Sequence, residues 1–253
     1  DLVDHNVLND GLVKLGVHPA IHRWIRDFLT NREQCVQIQS SCSSWKMMNG
    51  GLPQGTKLGP LLFAILVNNL LKNWHGRIKF VDDTTVFEII PRGSPSILPT
   101  VVDEISNFAS IRGMQLNPKK CKEMIISFLN HNYTCFAPIF ISGFPVEVVS
   151  TFKLLGVILS NDLTWPAHVD YILKKANSRL YTLRKLRRAG LNQSDLVNVY
   201  CSLVRTCLEY ASLSWASLSA TLSEDIESLQ RRALRIIYPD LSYMDALVVS
   251  GLD

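Results

Sequence analysis

Apolar positions at helical spacing open the chain. Val3, Val7, Leu8, Leu12 and Leu15 form one stripe ending near Gly16; Ile21, Trp24, Ile25, Phe28 and Leu29 form a second, beginning at Pro19. Alternation then replaces the helical period: Cys35–Gln39 and Trp45–Met48 predict a hairpin around the turn-rich Ser40–Ser44. It leads into Gly50-Gly51-Leu52-Pro53-Gln54-Gly55-Thr56-Lys57-Leu58-Gly59-Pro60, ahead of the apolar run Leu61–Val67. Four glycines and two prolines before that run describe a shaped loop feeding a buried helix, with Pro60 in its first turn.

The middle of the chain is organised around Arg77–Phe87, R-I-K-F-V-D-D-T-T-V-F, which reads as strand, tight turn and strand with Asp82 and Asp83 at the tip. Beyond the loop Pro91–Pro99, Val101, Val102, Ile105, Phe108, Ala109 and Ile111 predict an amphipathic helix stopped by Gly113. A basic turn, Leu116–Lys122, enters a strand reaching Phe128, and Asn130–Cys135 reads as loop. Further strands are expected at Ile139–Ser142, Val146–Val149 and Thr151–Leu159, the last folded about Gly156.

From Pro166 the helical period returns. Val169, Ile172, Leu173, Ala176, Leu180, Leu183 and Leu186 share a face closed by Gly190. A second stripe runs from Leu196 to Ala211 behind an Asn192 cap, and a third helix is expected over Ser223–Tyr238. The change of character places a boundary near Trp165.

At 253 residues and 47% hydrophobic composition the chain can bury one large core or two modest ones. The net charge of +4 hides a local asymmetry. Between Trp165 and Gly190 seven cations, Lys174, Lys175, Arg179, Arg184, Lys185, Arg187 and Arg188, face one acid, Asp170; after Gly190 four arginines face eight acids. A concentrated positive helix suits phosphate contacts, and the solvated face of an amphipathic helix is the other reading. The six cysteines show no C-x-x-C pair and no histidine at zinc spacing, which reads as reduced thiols. Without a leader or an apolar run of membrane length, the expected location is intracellular, cytoplasmic or nuclear. The chain starts with Asp1 rather than Met, so its N-terminus looks cut.

Two carboxylates roughly 4 Å apart repel by about 4 kcal/mol at an effective dielectric of about 20, so Asp82 and Asp83 call for a cation nearby. A solvated Asp-Asp turn is the alternative. The glycine loop admits a base or sugar against its backbone and offers free N–H groups to an anion at the helix start, or is a plain junction. His5 and His168 have no partner at ligand spacing and read as structural.

Taken in order, G-L-P-Q-G-T-K-L-G-P-L-L-F, F-V-D-D, L-N-P-K-K-C-K and F-K-L-L-G-V-I-L resemble successive motifs of reverse transcriptases of non-LTR (LINE-type) retrotransposons. D-L-V-D-H-N resembles the tail of that family's first catalytic motif, and the resemblance covers nearly the whole chain. It implies an α+β right-hand polymerase palm followed by an α-helical thumb: partial fingers and palm over residues 1–164, thumb and the start of a C-terminal region over 165–253. The implied activity is RNA-directed DNA polymerisation, with an RNA template, a DNA primer and deoxynucleoside triphosphates as partners. Asp82 and Asp83 are then the Mg²⁺ ligands, and Lys120 serves near the leaving phosphate. Pro53, Gln54 and Gly55 lie near template and incoming nucleotide. Phe152, Leu155 and Gly156 form the primer grip, although Leu154 stands where the family often has an aromatic residue. The seven cations track the template–primer backbone. The family's first metal-holding aspartate, its strand and a sugar-screening phenylalanine fall before Asp1. The palm is therefore expected to be incomplete, the chain alone inactive, and an apolar edge beside the Asp-Asp hairpin unpaired. A non-catalytic nucleic-acid-binding module and a genomic relic are the alternatives.

Overall fold

The computed structural model describes residues 3–48, 50–128 and 136–252. They form helices and two-stranded sheets, a mixed α/β structure. The chain divides into two compact units: the first holds described residues up to 122 and 136–147, the second 123–128 and 148–252.

In the first unit Asp4 caps α1 (His5–Lys14), its carboxylate accepting the Asn6 N–H at 2.7 Å. Helix α2 (Pro19–Leu29) opens on its proline, as expected. Leu8, Leu12, Ile25 and Leu29 close a core with Leu62 of α3 (Leu58–Val67). Helix α3 starts at Leu58 rather than Leu61, and Gly59 and Pro60 lie inside its first turn. A Cβ at residue 59 would stand 3.0 Å from the Pro53 carbonyl oxygen, a tight contact that glycine avoids. Thr56 Oγ1 donates to that oxygen at 2.9 Å and accepts the Gly59 N–H at 3.2 Å, tying the loop to the helix start.

The first hairpin is stepped. Strands β1 (Glu33–Gln34) and β4 (Lys46–Met47) pair at its base, β2 (Gln37–Ile38) and β3 (Ser41–Cys42) at its tip. The reversal comes at Gln39, whose φ is 54°, earlier than the expected Ser40–Ser44, and Ser41 already pairs back with Ile38. Ser43 joins the two steps through Val36, with hydrogen bonds of 2.9 Å to its carbonyl and from its N–H.

Strands β5 (Arg77–Phe80) and β6 (Asp83–Val86) form the second hairpin, a sheet of two strands. Helix α4 (Leu98–Ile111) starts within the expected loop, because the Glu88 carboxylate caps it, accepting the Ile97 N–H at 3.0 Å and the Ser96 hydroxyl. Val102 of α4 packs with Ile139, Ile141 and Val146, and Val101 with Leu70 and Leu71. The expected strand reaching Phe128 shrinks to β7 (Lys122–Glu123), leaving Ile126 and Phe128 exposed. Strands β8 (Phe140–Ile141) and β9 (Phe144–Pro145) reverse over Ser142 and Gly143, both at positive φ as twisted hairpins favour. The short β10 (Glu147–Val148) follows.

In the second unit β11 (Thr151–Leu154) pairs with β12 (Val157–Ser160) across Leu155 and Gly156, both again at positive φ. Helix α5 (Pro166–Arg188) buries Val169, Ile172, Ala176, Leu180 and Leu183, the predicted face. Val157 packs with Ile172 and Trp215, so this hairpin belongs with the helices and the compact division falls earlier in the chain than residue 164. The expected helix ending at Ala211 is interrupted. Helix α6 (Gln193–Val199) passes into a π-helical turn over Tyr200–Arg205, then α7 (Thr206–Leu208), and Ala211 at φ 54° redirects the chain into α8 (Ser212–Trp215). Helix α9 (Ala220–Ile237) starts ahead of the expected Ser223 because Ser219 caps it, and α10 (Tyr243–Ser250) was not anticipated.

Cys35, Cys42, Cys121, Cys201 and Cys207 are free thiols; Cys135 and the expected loop Asn130–Cys135 lie outside the described residues. Among the described residues no helix is long and apolar enough to cross a membrane.

Candidate active site and nucleic-acid interface

The β5–β6 register corrects the expected tip. Arg77 pairs with Val86, Ile78 with Thr85, Lys79 with Thr84 and Phe80 with Asp83, which leaves Val81 and Asp82 as the turn. Asp83 therefore opens β6 instead of sharing the tip. Val81 has φ 53°, a conformation costing an L-residue roughly 1–2 kcal/mol and least suited to a β-branched side chain. Asp82 and Asp83 are exposed, as are Ile78 and Phe80 beside them.

The hairpin's own cations do not answer these carboxylates. Lys79 Nζ donates to the carbonyls of Val67 at 3.0 Å and Asn68 at 2.9 Å, and Arg77 Nη1 to that of Leu70 at 2.6 Å. Both thus serve carbonyls at and just beyond the C-terminus of α3, where a helix end favours positive charge. Burial, with Arg77 adding to it, pulls the Lys79 pKa below the usual lysine range. Among the described residues neither aspartate has an ion-pair partner. Nor does any group of three His, Cys, Asp or Glu there stand ready to hold a metal. The exposed pair fits a hard cation such as Mg²⁺, which takes one or two carboxylates and fills its remaining positions with water and phosphate oxygens.

Pro53 and Gln54 line a cavity of about 490 Å³ with His5, Arg32, Gln34, Met48 and Gly51. Gly55 is exposed at φ 75°. His5 has a partner that spacing could not reveal: its Nε2 lies 2.7 Å from the Gly51 carbonyl oxygen, 46 residues away. Lys120 is exposed behind a turn in which its N–H donates to the Asn117 carbonyl at 3.0 Å.

In the second unit Phe152, Leu155 and Gly156 share the β11–β12 hairpin. Tyr210 Oη donates to the Leu155 carbonyl at 2.9 Å, and a Cβ at Gly156 would stand 3.0 Å from the Tyr210 ring. Lys153 Nζ donates to Tyr171 Oη at 2.7 Å; this hydrogen bond draws the phenol's pKa down. Sequence reasoning missed Lys153, Tyr171 and Tyr210, although Lys153 lies inside the F-K-L-L-G motif. His168 is fully buried among Trp165, Tyr171 and Trp215, its Nδ1 accepting the Ile158 N–H at 3.2 Å, in keeping with a structural reading.

The seven cations of α5 are not equivalent. Lys175, Arg184, Arg187 and Arg188 are exposed. Lys174 pairs with Asp170 at 2.6 Å, and Lys185 lies 4.8 Å above the Tyr181 ring. Arg179 is half-buried and donates to the Leu203 carbonyl of the π-helical turn.

The structure thus places Asp82 in the turn and Asp83 at the start of β6, Pro53, Gln54 and Gly55 ahead of α3, which buries only Gly59, Leu62 and Leu66 rather than forming the expected buried helix, and Gly156 in a hairpin packed on the basic helix α5. Residues 1–159 match the family model for reverse transcriptase (RNA-dependent DNA polymerase), and the chain belongs to that family. Its relatives place it among proteins of non-LTR retrotransposons. The RNA-directed DNA polymerase from mobile element jockey of Drosophila melanogaster is 24% identical over 234 residues, covering 87% of this chain and 25% of the relative. The probable RNA-directed DNA polymerase from transposon BS of the same species is 24% identical over 251 residues, with coverages of 91% and 27%. The retrovirus-related Pol polyprotein from type-1 retrotransposable element R2 of Popillia japonica is 25% identical over 135 residues, 47% of this chain and 18% of the relative. The chain thus spans about a quarter of the length of the first two. Residues 165–206 also match a model described as alkylated DNA repair protein alkB homolog 8, N-terminal.

Proposed function

We propose that this chain is the reverse-transcriptase part of a longer protein that extends a DNA primer by deoxynucleotides on an RNA template, and that the chain by itself is inactive. The observation that carries the reading is the β5–β6 hairpin, which presents Asp82 in its turn and Asp83 at the start of β6, both exposed and, among the described residues, without an ion-pair partner. These two carboxylates would hold Mg²⁺, which when bound supplies two-metal activation of the primer 3′-hydroxyl and stabilisation of the pyrophosphate leaving group. Pro53, Gln54 and Gly55 offer template and incoming nucleotide a surface beside their cavity, and the Lys120 ammonium is exposed for the leaving phosphate. Phe152, Leu155 and Gly156 grip the primer, with Lys153 between them. Lys174, Lys175, Arg184, Lys185, Arg187 and Arg188 contact backbone phosphates, which positions a duplex without reading its sequence. Arg179, tied to the Leu203 carbonyl, adds to the same surface. In this reading residues 1–164 are palm with part of the fingers, and 165–253 begin as thumb.

Primer extension on an RNA template with Mg²⁺ by the longer protein that contains this chain tests the reading; the chain alone should extend no primer. Asp82→Asn should lower the rate by about a hundredfold or more, the scale of losing a metal-held charge at the reacting centre, with an unchanged melting temperature. A rate that survives the substitution would sink it. A second reading, non-catalytic duplex binding, is favoured by the lack of a third metal-holding side chain among the described residues. It expects binding that weakens with salt and with Arg184→Glu and Arg187→Glu, yet is indifferent to Asp82→Asn.

A further inference from the structure

Both backbone polar groups of Gly51 are taken by the segment that opens the chain. The Gly51 N–H donates to the Val3 carbonyl at 2.9 Å, and its carbonyl accepts from His5 Nε2 at 2.7 Å. The two stretches lie so close that a Cβ at Gly50 would stand 3.2 Å from the Val3 oxygen. A carbonyl only accepts, so Nε2 carries the proton and the contact selects that form of the ring. The ring is firmly based: His5 is the first residue of α1, directly behind the Asp4 cap, and Leu8 and Leu12 one and two turns on are fully buried.

Downstream of Gly51 the loop is held a second time, by Thr56 Oγ1 on the Pro53 carbonyl. Leu52 between the two points packs against the core of Leu8, Leu12 and Leu62. Gly51, Pro53 and Gln54 then line one cavity together with His5 itself. A glycine-rich segment has more backbone freedom to lose than any other, so its position depends on such ties.

We propose that His5 is a positioning residue, whose Nε2–H fixes Gly51 and thereby sets where Pro53 and Gln54 meet the incoming nucleotide. The second half of this statement rests on the polymerase reading; the first stands without it. His5→Ala releases the Gly51 carbonyl, while His5→Gln keeps an N–H donor that can reach it.

Hydrogen exchange on this chain and primer extension by the longer protein that contains it, each as wild type and as both variants, test the two halves separately. In His5→Ala the amides of Gly51, Leu52, Gln54 and Gly55 should exchange about fivefold faster, the scale of one net hydrogen bond, while amides of β5, β6 and α5 keep their rates. His5→Gln should return them to within about twofold of wild type. In primer extension His5→Ala should raise KM for the nucleotide by a similar factor with kcat little changed, and His5→Gln should restore it. Unchanged loop exchange in His5→Ala, faster exchange throughout the unit, or failure of His5→Gln to restore it would overturn the role. Local loosening with KM unmoved would overturn the link to nucleotide. If the longer protein with wild-type His5 extends no primer, the polymerase reading falls, and the exchange pattern alone decides whether His5 positions the loop.

Discussion

The two compact units bury their apolar residues in different ways. In the second, one cluster runs from Ala176, Leu180 and Leu183 through Leu196, Tyr200 and Val204 to Leu229, Leu234 and Ile237. In the first, the cores are small and separate: one about Leu8, Leu12 and Leu62, another about Val102 and Ile139, a third about Leu70 and Leu71. Neither β1–β4 nor β5–β6 contributes a fully buried residue. Isolated two-stranded hairpins are marginal in water. The aspartate pair and the Pro-Gln-Gly loop therefore depend on individual pins, Lys79 on the end of α3, Glu88 on the start of α4 and His5 on Gly51. The helical unit rests on one large cluster with a smaller one at Val157, Ile172 and Trp215, and most of its α5 cations are exposed.

The sharpest test of this contrast sets Leu183→Ala against Phe80→Ala. Leu183 is fully buried, so its truncation should cost about 2–5 kcal/mol in urea unfolding. Phe80 is 58% exposed, and its loss should stay within about 0.5 kcal/mol. Equal costs would break the comparison. Gly156→Ala comes next, at about 1–2 kcal/mol, because residue 156 has φ 90° and a methyl there meets the Tyr210 ring; Tyr210→Ala in the same chain should relieve only the steric share.

Acid should weaken the helical unit through His168. Burial holds its pKa below the usual value near about 6.5, so the unfolded chain takes up the proton first. The stabilisation is complete above that value and is lost as pH falls through it toward the folded pKa. Protonation would also cost Nδ1 its bond from the Ile158 N–H. Urea midpoints at pH 7.5 and 5.5 should separate in the wild type and draw together in His168→Gln. The smallest expected effect has the opposite sign. Val81→Asn puts a residue tolerant of positive φ into the β5–β6 turn and should stabilise it by about 0.5–1 kcal/mol, seen as slower amide exchange of Thr84 and Thr85. Faster exchange there would show that Val81 is held by something other than the turn.

Helices were the most legible part of the fold. The stripe over Val169–Leu183 needs only its own 3.6-residue period, and α5 buries those positions. The aspartate hairpin was legible as strand, turn and strand, but its register was not, because shifting the reversal by one residue is a matter of turn geometry. That choice put Val81 and Asp82 in the turn and Asp83 in β6. Helix starts moved wherever a distant or unforeseen side chain capped them, as Glu88 does for α4.

By itself, then, the sequence determined the family, most of the helices and the apolar face of α5, since these follow from local period and residue chemistry. Only the tertiary structure decided which side chains have partners. It tied His5 to Gly51, sent Lys79 and Arg77 to α3 instead of to the aspartates, and drew Arg179 onto the Leu203 carbonyl. The physical reason is that backbone carbonyls left over at helix ends, loops and π turns accept whichever donor the fold brings within about 3 Å, and no spacing along the chain encodes that encounter.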